Sequence, residues 1–91
     1  MERTLFEERL RRELAGNQWS QPHFARMMEV SQQTVTAWAT GKWEPRMKQL
    51  AEMASLLNVS MEYLAGVVDE RVTITDIKDV AERKARKRAR S

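Results

Sequence analysis

Between residues 21 and 40 the chain sets short apolar stripes at helical spacing against uncharged polar positions, and each of the two stretches follows a serine. Ser20 precedes Gln21-Pro22-His23-Phe24-Ala25, and Ser31 precedes Gln32-Gln33-Thr34-Val35. A serine at an N-cap accepts a hydrogen bond from an otherwise unpaired amide of the first turn, so both are predicted helix starts. Trp19 with Phe24, and Val30 with Val35, occupy the staple positions that fix how the chain enters each helix. Pro22 falls in a first turn, where its missing N–H costs little. Phe24, Ala25 and Met28 share a face of the first helix, and Ala25 is small enough for a close, steep crossing. The linking turn is Glu29-Val30, with Val30 the apolar residue to bury beneath it. In the second helix, at about 100° per residue, Thr34, Val35 and Trp38 turn inward while Gln32, Gln33, Thr36, Ala37 and Thr40 turn outward.

The same patterning predicts three more helices. Thr4 and Glu7 form a capping box for a helix running to about Ala15, with Phe6, Leu10 and Leu14 as its stripe, joined by Leu5. Gly16-Asn17 ends it. Arg9, Arg11 and Arg12 fall on its other faces, where they pair with Glu7, Glu8 and Glu13 or reach a partner. Gly41 is a stop signal. After the loop Lys42-Trp43-Glu44-Pro45-Arg46, a fourth helix from about Pro45 to Leu57 has Met47, Leu50, Ala51, Ala54 and Leu57 as its stripe, widened by Met53 and Leu56. The methionines read as core filler. Asn58 ends that helix, and Ser60 caps a short fifth one closing at Gly66, with Val59 and Leu64 in the staple positions. Beyond it, Val67-Val68 and Val72-Thr73-Ile74 suit extended backbone, and a helix capped by Thr75 from about Asp76 would align Ile77, Val80 and Ala81.

The outward face of the helix from Gln32 carries amides, hydroxyls and a methyl. Gln pairs bidentately with adenine, Thr bonds bases or phosphates, and Ala meets a thymine methyl; the plainer reading is an uncharged solvent face. Trp43, in the loop, either covers the edge of the core or packs against sugar and phosphate. His23 has no companion ligands and reads as a surface or phosphate-proximal residue.

Ser20-Gln21, Phe24-Ala25, Met28, the run Val30-Ser31-Gln32-Gln33-Thr34-Val35, Trp38 and Gly41 together resemble the helix-turn-helix of the lambda-repressor-like (Cro/cI, XRE-type) DNA-binding domains. The resemblance continues through Pro45 and Leu50 to the Asn58-Val59-Ser60-Met61-Glu62-Tyr63-Leu64 ending and spans roughly residues 4 to 66. Two positions depart from the family pattern. Glu29 stands where the turn often has Gly, and Ala39 follows the buried aromatic where Glu is common.

Charge changes this picture only at the C-terminus. The net charge is +3, but residues 83–90 hold six basic side chains (Arg83, Lys84, Arg86, Lys87, Arg88, Arg90) and no acid, which leaves −3 on residues 1–82. The high isoelectric point thus belongs to the tail. That tail reads as solvated chain, as a sequence-independent DNA contact, or as an arginine-rich RNA segment. With 91 residues and no cysteine, there is room for one small domain and no thiol chemistry. No apolar run is long enough for a membrane span and no signal peptide is evident, so a cytoplasmic protein of a prokaryotic cell or phage-infected host is expected. Neither a phosphate loop, nor a metal cluster, nor a nucleophile with a base is present. No enzymatic activity and no cofactor are expected.

The expected architecture is all-α: a five-helix lambda-repressor-like domain over residues 1–66, a dimerisation arm or docked extension over 67–82, and a basic, disordered tail over 83–91. The resemblance implies a transcriptional regulator, a repressor binding double-stranded DNA at a palindromic, inverted-repeat operator as a homodimer. Gln32, Gln33, Thr36 and Ala37 would read bases, and Gln21, Thr40, Lys42, Arg46 and Lys48 would hold phosphates. The alternative is an antitoxin whose segment after Gly66 wraps a toxin, or another protein antagonist, while its DNA binding serves autoregulation. A third reading is a tail-driven RNA binder or nucleic-acid chaperone.

Overall fold

A computed structural model describes residues 5–75. Five helices follow in order: α1 (Leu5–Gly16), α2 (Gln21–Met28), α3 (Gln32–Ala39), α4 (Met47–Leu57) and α5 (Met61–Ala65). Among the described residues there is no strand. α2 packs on α3, α1 supports both α3 and α5, and α4 packs on α5. The stripes predicted from spacing meet in one core, in which Leu10, Phe24, Val35, Trp38, Met53, Val59 and Leu64 are fully buried.

The caps form as the serines predict. Ser20 Oγ accepts from His23 N at 3.2 Å, Ser31 Oγ from Thr34 N at 3.2 Å, and Ser60 Oγ from Tyr63 N at 3.1 Å. The Trp19 and Phe24 rings of the α2 staple stack with centroids 6.4 Å apart. The proposed Thr4 cap lies outside the described residues.

All five helices stop in one way. In each, a residue with left-handed backbone follows the last turn: Gln18, Glu29, Gly41, Asn58 and Gly66. The next amide then reaches back five residues to a carbonyl of the last turn, as Trp19 N to Leu14 O (2.9 Å), Val30 N to Ala25 O (3.0 Å), Lys42 N to Ala37 O (2.9 Å), Val59 N to Ala54 O (3.0 Å) and Val67 N to Glu62 O (2.8 Å). This is the Schellman arrangement, and after three of the left-handed residues an apolar side chain (Trp19, Val30 and Val59) packs on the core at the exit as the staple does at the entry, whereas Val67 is exposed. At the first stop the positive φ falls on Gln18 (59°) rather than on Gly16, which is still helical.

Four expectations are corrected. α4 begins at Met47, with Arg46 as its N-cap and Gln49 Oε1 accepting from Arg46 N at 3.0 Å. Pro45 therefore lies in the loop. Its buried stripe runs through Met53, Ala54 and Leu57 with Leu50 at the edge, whereas Met47 is 79 % exposed and Ala51 is exposed. On α1, Leu5 is exposed, while Glu7, Arg9 and Glu13 are buried. Finally, helical backbone resumes at Ile74 and Thr75, so Thr75 lies inside that turn rather than capping it.

The buried polar residues of α1 explain where the chain goes after α5. Arg9 Nη1 donates to the carbonyls of Tyr63 and Val68, its guanidinium lies 4.5 Å from the Tyr63 ring centroid, and Nη2 is 3.5 Å from the exposed Asp69 carboxylate. Glu13 accepts a bidentate pair from Arg71 Nε and Nη2, both at 2.9 Å. Ser60 N then donates to Val72 O at 2.9 Å, and Ile74 N to Asn58 O at 3.4 Å. Residues 67–75 are thus docked on their own domain, along α1 and the α4–α5 junction. No buried side-chain polar atom among the described residues lacks a partner.

Candidate nucleic-acid interface

The α2–α3 unit presents one polar surface. Gln32, Gln33, Thr36 and Thr40 are exposed along α3, and with Ala37, Lys42 and Trp43 they line a shallow hollow of about 560 Å³. This hollow brings the four expected base readers together with two of the expected phosphate holders.

Its walls are fixed by backbone bonds. Ala37 O accepts from both Lys42 N (2.9 Å) and Trp43 N (3.2 Å), so the loop folds back across the end of α3. Ala37, expected on the free face, is only 6 % exposed, although it still lines the hollow. The loop can turn there because Gly41 has φ 77°, and a Cβ at that position would overlap the Glu7 carboxylate. A buried α1 side chain therefore sits in the space that glycine leaves open.

Gln21 belongs to this surface through a bond between helices. Thr36 Oγ1 donates to Gln21 Oε1 at 2.8 Å, tying the first residue of α2 to the middle of α3. With its oxygen occupied, the Gln21 amide nitrogen remains a donor, and the Thr36 oxygen keeps acceptor capacity. Thr40 Oγ1 donates to Thr36 O at 2.9 Å, which leaves its oxygen as an acceptor as well. Arg46 and Lys48 are exposed at the cap and first turn of α4, outside the group lining the hollow.

The turn between the helices holds despite Glu29. Its backbone is left-handed (φ 57°, ψ 42°), its N–H bonds back to α2, and Val30 packs against the core. His23 lies beside Trp19 with ring centroids 5.8 Å apart. Sequence spacing did not reveal the Gln21–Thr36 bond, which joins residues fifteen apart, or the placement of Trp43 at the rim. No described helix is long and apolar enough to cross a membrane.

Two short amphipathic helices joined by a tight turn, the second bearing an exposed face of amides and hydroxyls, define a helix-turn-helix domain. The helix-turn-helix family model matches residues 9–64, more than half of the chain, and the chain belongs to that family. It is a DNA-binding transcription regulator of the Cro/cI-like, XRE type. Members of that family bind double-stranded DNA and are typically not enzymes. No curated protein and no solved structure matched the chain.

Proposed function

We propose that this regulator is a repressor that inserts α3 into the major groove of an inverted-repeat operator and does so as a homodimer. The observation that carries the reading is the exposed, uncharged α3 face, held by its cap, its loop and the Thr36–Gln21 bond. Gln32 and Gln33 reach base edges from the first turn, with Thr36 and the Ala37 methyl behind them. Gln21, Thr40, Lys42, Arg46 and Lys48 hold phosphates and set the register.

Helix length argues for the dimer. α3 has 8 residues, or about 12 Å at 1.5 Å per residue, which covers roughly four base pairs. Two such helices about 34 Å apart, on one face of the duplex, would double the sequence read. Because residues 67–75 bond inward to their own domain, a dimer contact from this segment would use its outer side, where Val67 and Val68 are exposed. Occupying a promoter in this way excludes RNA polymerase.

The test is selection of bound sites from a random duplex library at near-physiological salt, with the full chain and its Gln33→Ala variant. An enriched inverted repeat is expected, and the variant should lose about 1–3 kcal/mol and relax its preference at one or two positions. Enrichment of a single half-site would remove the dimer, and an equal loss on every sequence would remove Gln33 as a reader.

A further inference from the structure

We infer that Trp43 is an apolar clamp on the deoxyribose backbone, placed at the C-terminal rim of α3 beside the phosphate-holding Lys42; this rests on the DNA-reading role proposed above. The three tryptophans have different surroundings. Trp38 is 2 % exposed in the core and Trp19 packs on Phe24, but Trp43 is 52 % exposed.

An exposed indole on a mobile loop would say little, yet the backbone that carries this one is anchored. Trp43 N and Lys42 N share the Ala37 carbonyl, and Gly41 is seated against the Glu7 carboxylate. The ring lines the hollow whose other walls are Gln32, Gln33, Thr36 and Thr40. When α3 enters a groove, the ring is carried with it to the groove's edge.

What the duplex offers at that edge is a strand of sugars between phosphates. A cation beside an aromatic ring matches that alternation, with Lys42 meeting an anionic oxygen and the Trp43 ring covering sugar C–H groups. Such a contact has two signatures. It carries no base information, and because it displaces no counterion its contribution is insensitive to salt.

The experiment uses the full chain and the duplex that the wild-type protein selects. Trp43→Ala is expected to weaken binding about 10- to 100-fold, the effect of losing burial of roughly half an indole. The slope of log K against log salt should stay as in wild type. Trp43→Phe should recover most of the affinity, whereas Lys42→Ala should reduce the slope by about 1. Adding duplex should protect wild-type tryptophan fluorescence from acrylamide, and the gain in protection should vanish in Trp43→Phe. Unchanged affinity in Trp43→Ala overturns the inference, as does unchanged acrylamide quenching of the wild type on binding, whatever happens to the variant's melting temperature. If the wild-type chain selects no duplex at all, the DNA-reading role falls and this inference falls with it.

Discussion

Glu29→Gly should make the protein more stable without altering what it reads. Glu29 occupies the left-handed position that ends α2, at φ 57° and ψ 42°. For an L-residue with a Cβ this conformation costs about 1–2 kcal/mol, a cost glycine does not bear. Glycine in turn adds about 0.5–1 kcal/mol of backbone entropy to be lost on folding. Removing a negative charge from a helix C-terminus contributes roughly a further 0.3–1 kcal/mol in favour of the variant. The net expectation is a gain of about 1 kcal/mol, or a rise in melting temperature of about 4–8 °C for a domain of this size. Glu29→Ala is the control, since it removes the same charge and keeps the Cβ. Thermal and urea unfolding of the three proteins should rank Gly above Ala by roughly 0.5 kcal/mol, the Cβ cost less the glycine entropy, with equal affinity for the selected duplex. Equal stability of Gly and Ala would show that the strain at Glu29 is no larger than the roughly 0.5–1 kcal/mol of backbone entropy that glycine loses.

The other two perturbations target α1. Gly41→Ala places a Cβ both in a left-handed backbone (φ 77°) and on the buried Glu7 carboxylate; a loss of about 2–4 kcal/mol in urea unfolding is expected, a loss of only about 1–2 kcal/mol would mean that Glu7 turns aside freely, and wild-type stability would refute the backbone strain as well. Arg9→Ala takes the Arg9 donor from the Val68 carbonyl and leaves the Tyr63 carbonyl only Gly66 N; it should cost about 1–3 kcal/mol and raise hydrogen exchange across residues 67–75, and unaltered exchange there would show that the segment is held by other contacts.

How far the sequence could be read depended on whether a feature was local. Ser20, Ser31 and Ser60 act on amides three residues away, so their caps follow from spacing alone. The left-handed stops are also local, yet Gln18 carries no such signature and glycine nearby drew attention to the wrong residue. Met47 fits the α4 stripe by period but precedes the point at which α4 reaches the core, and it stays exposed. Ala37 has the phase of an outward residue, yet it is buried. Trp43 has no period to read, being in a loop. Its exposure depends on the bonds that fold residues 41–43 over the end of α3.

Arg9 and Glu13 show what a periodic reading misses when it follows apolar residues alone. Residues 6, 9, 10, 13 and 14 form the i, i+3, i+4, i+7, i+8 stripe of one helical face. Two of the five are charged, and both are buried together with the apolar three. A charged side chain on such a stripe needs a specific partner, because burying it unpaired is too costly to sustain. Arg9 finds carbonyls of Tyr63 and Val68, and Glu13 finds the guanidinium of Arg71. Glu7, also buried, fits only because Gly41 lacks a Cβ. Three buried polar positions of one helix thus meet the loop after α3, the end of α5 and the segment beyond it. The loop after α3 and residues 67–75 are each positioned against α1, so the placement of the proposed reading surface rests in part on the buried Glu7 beneath Gly41.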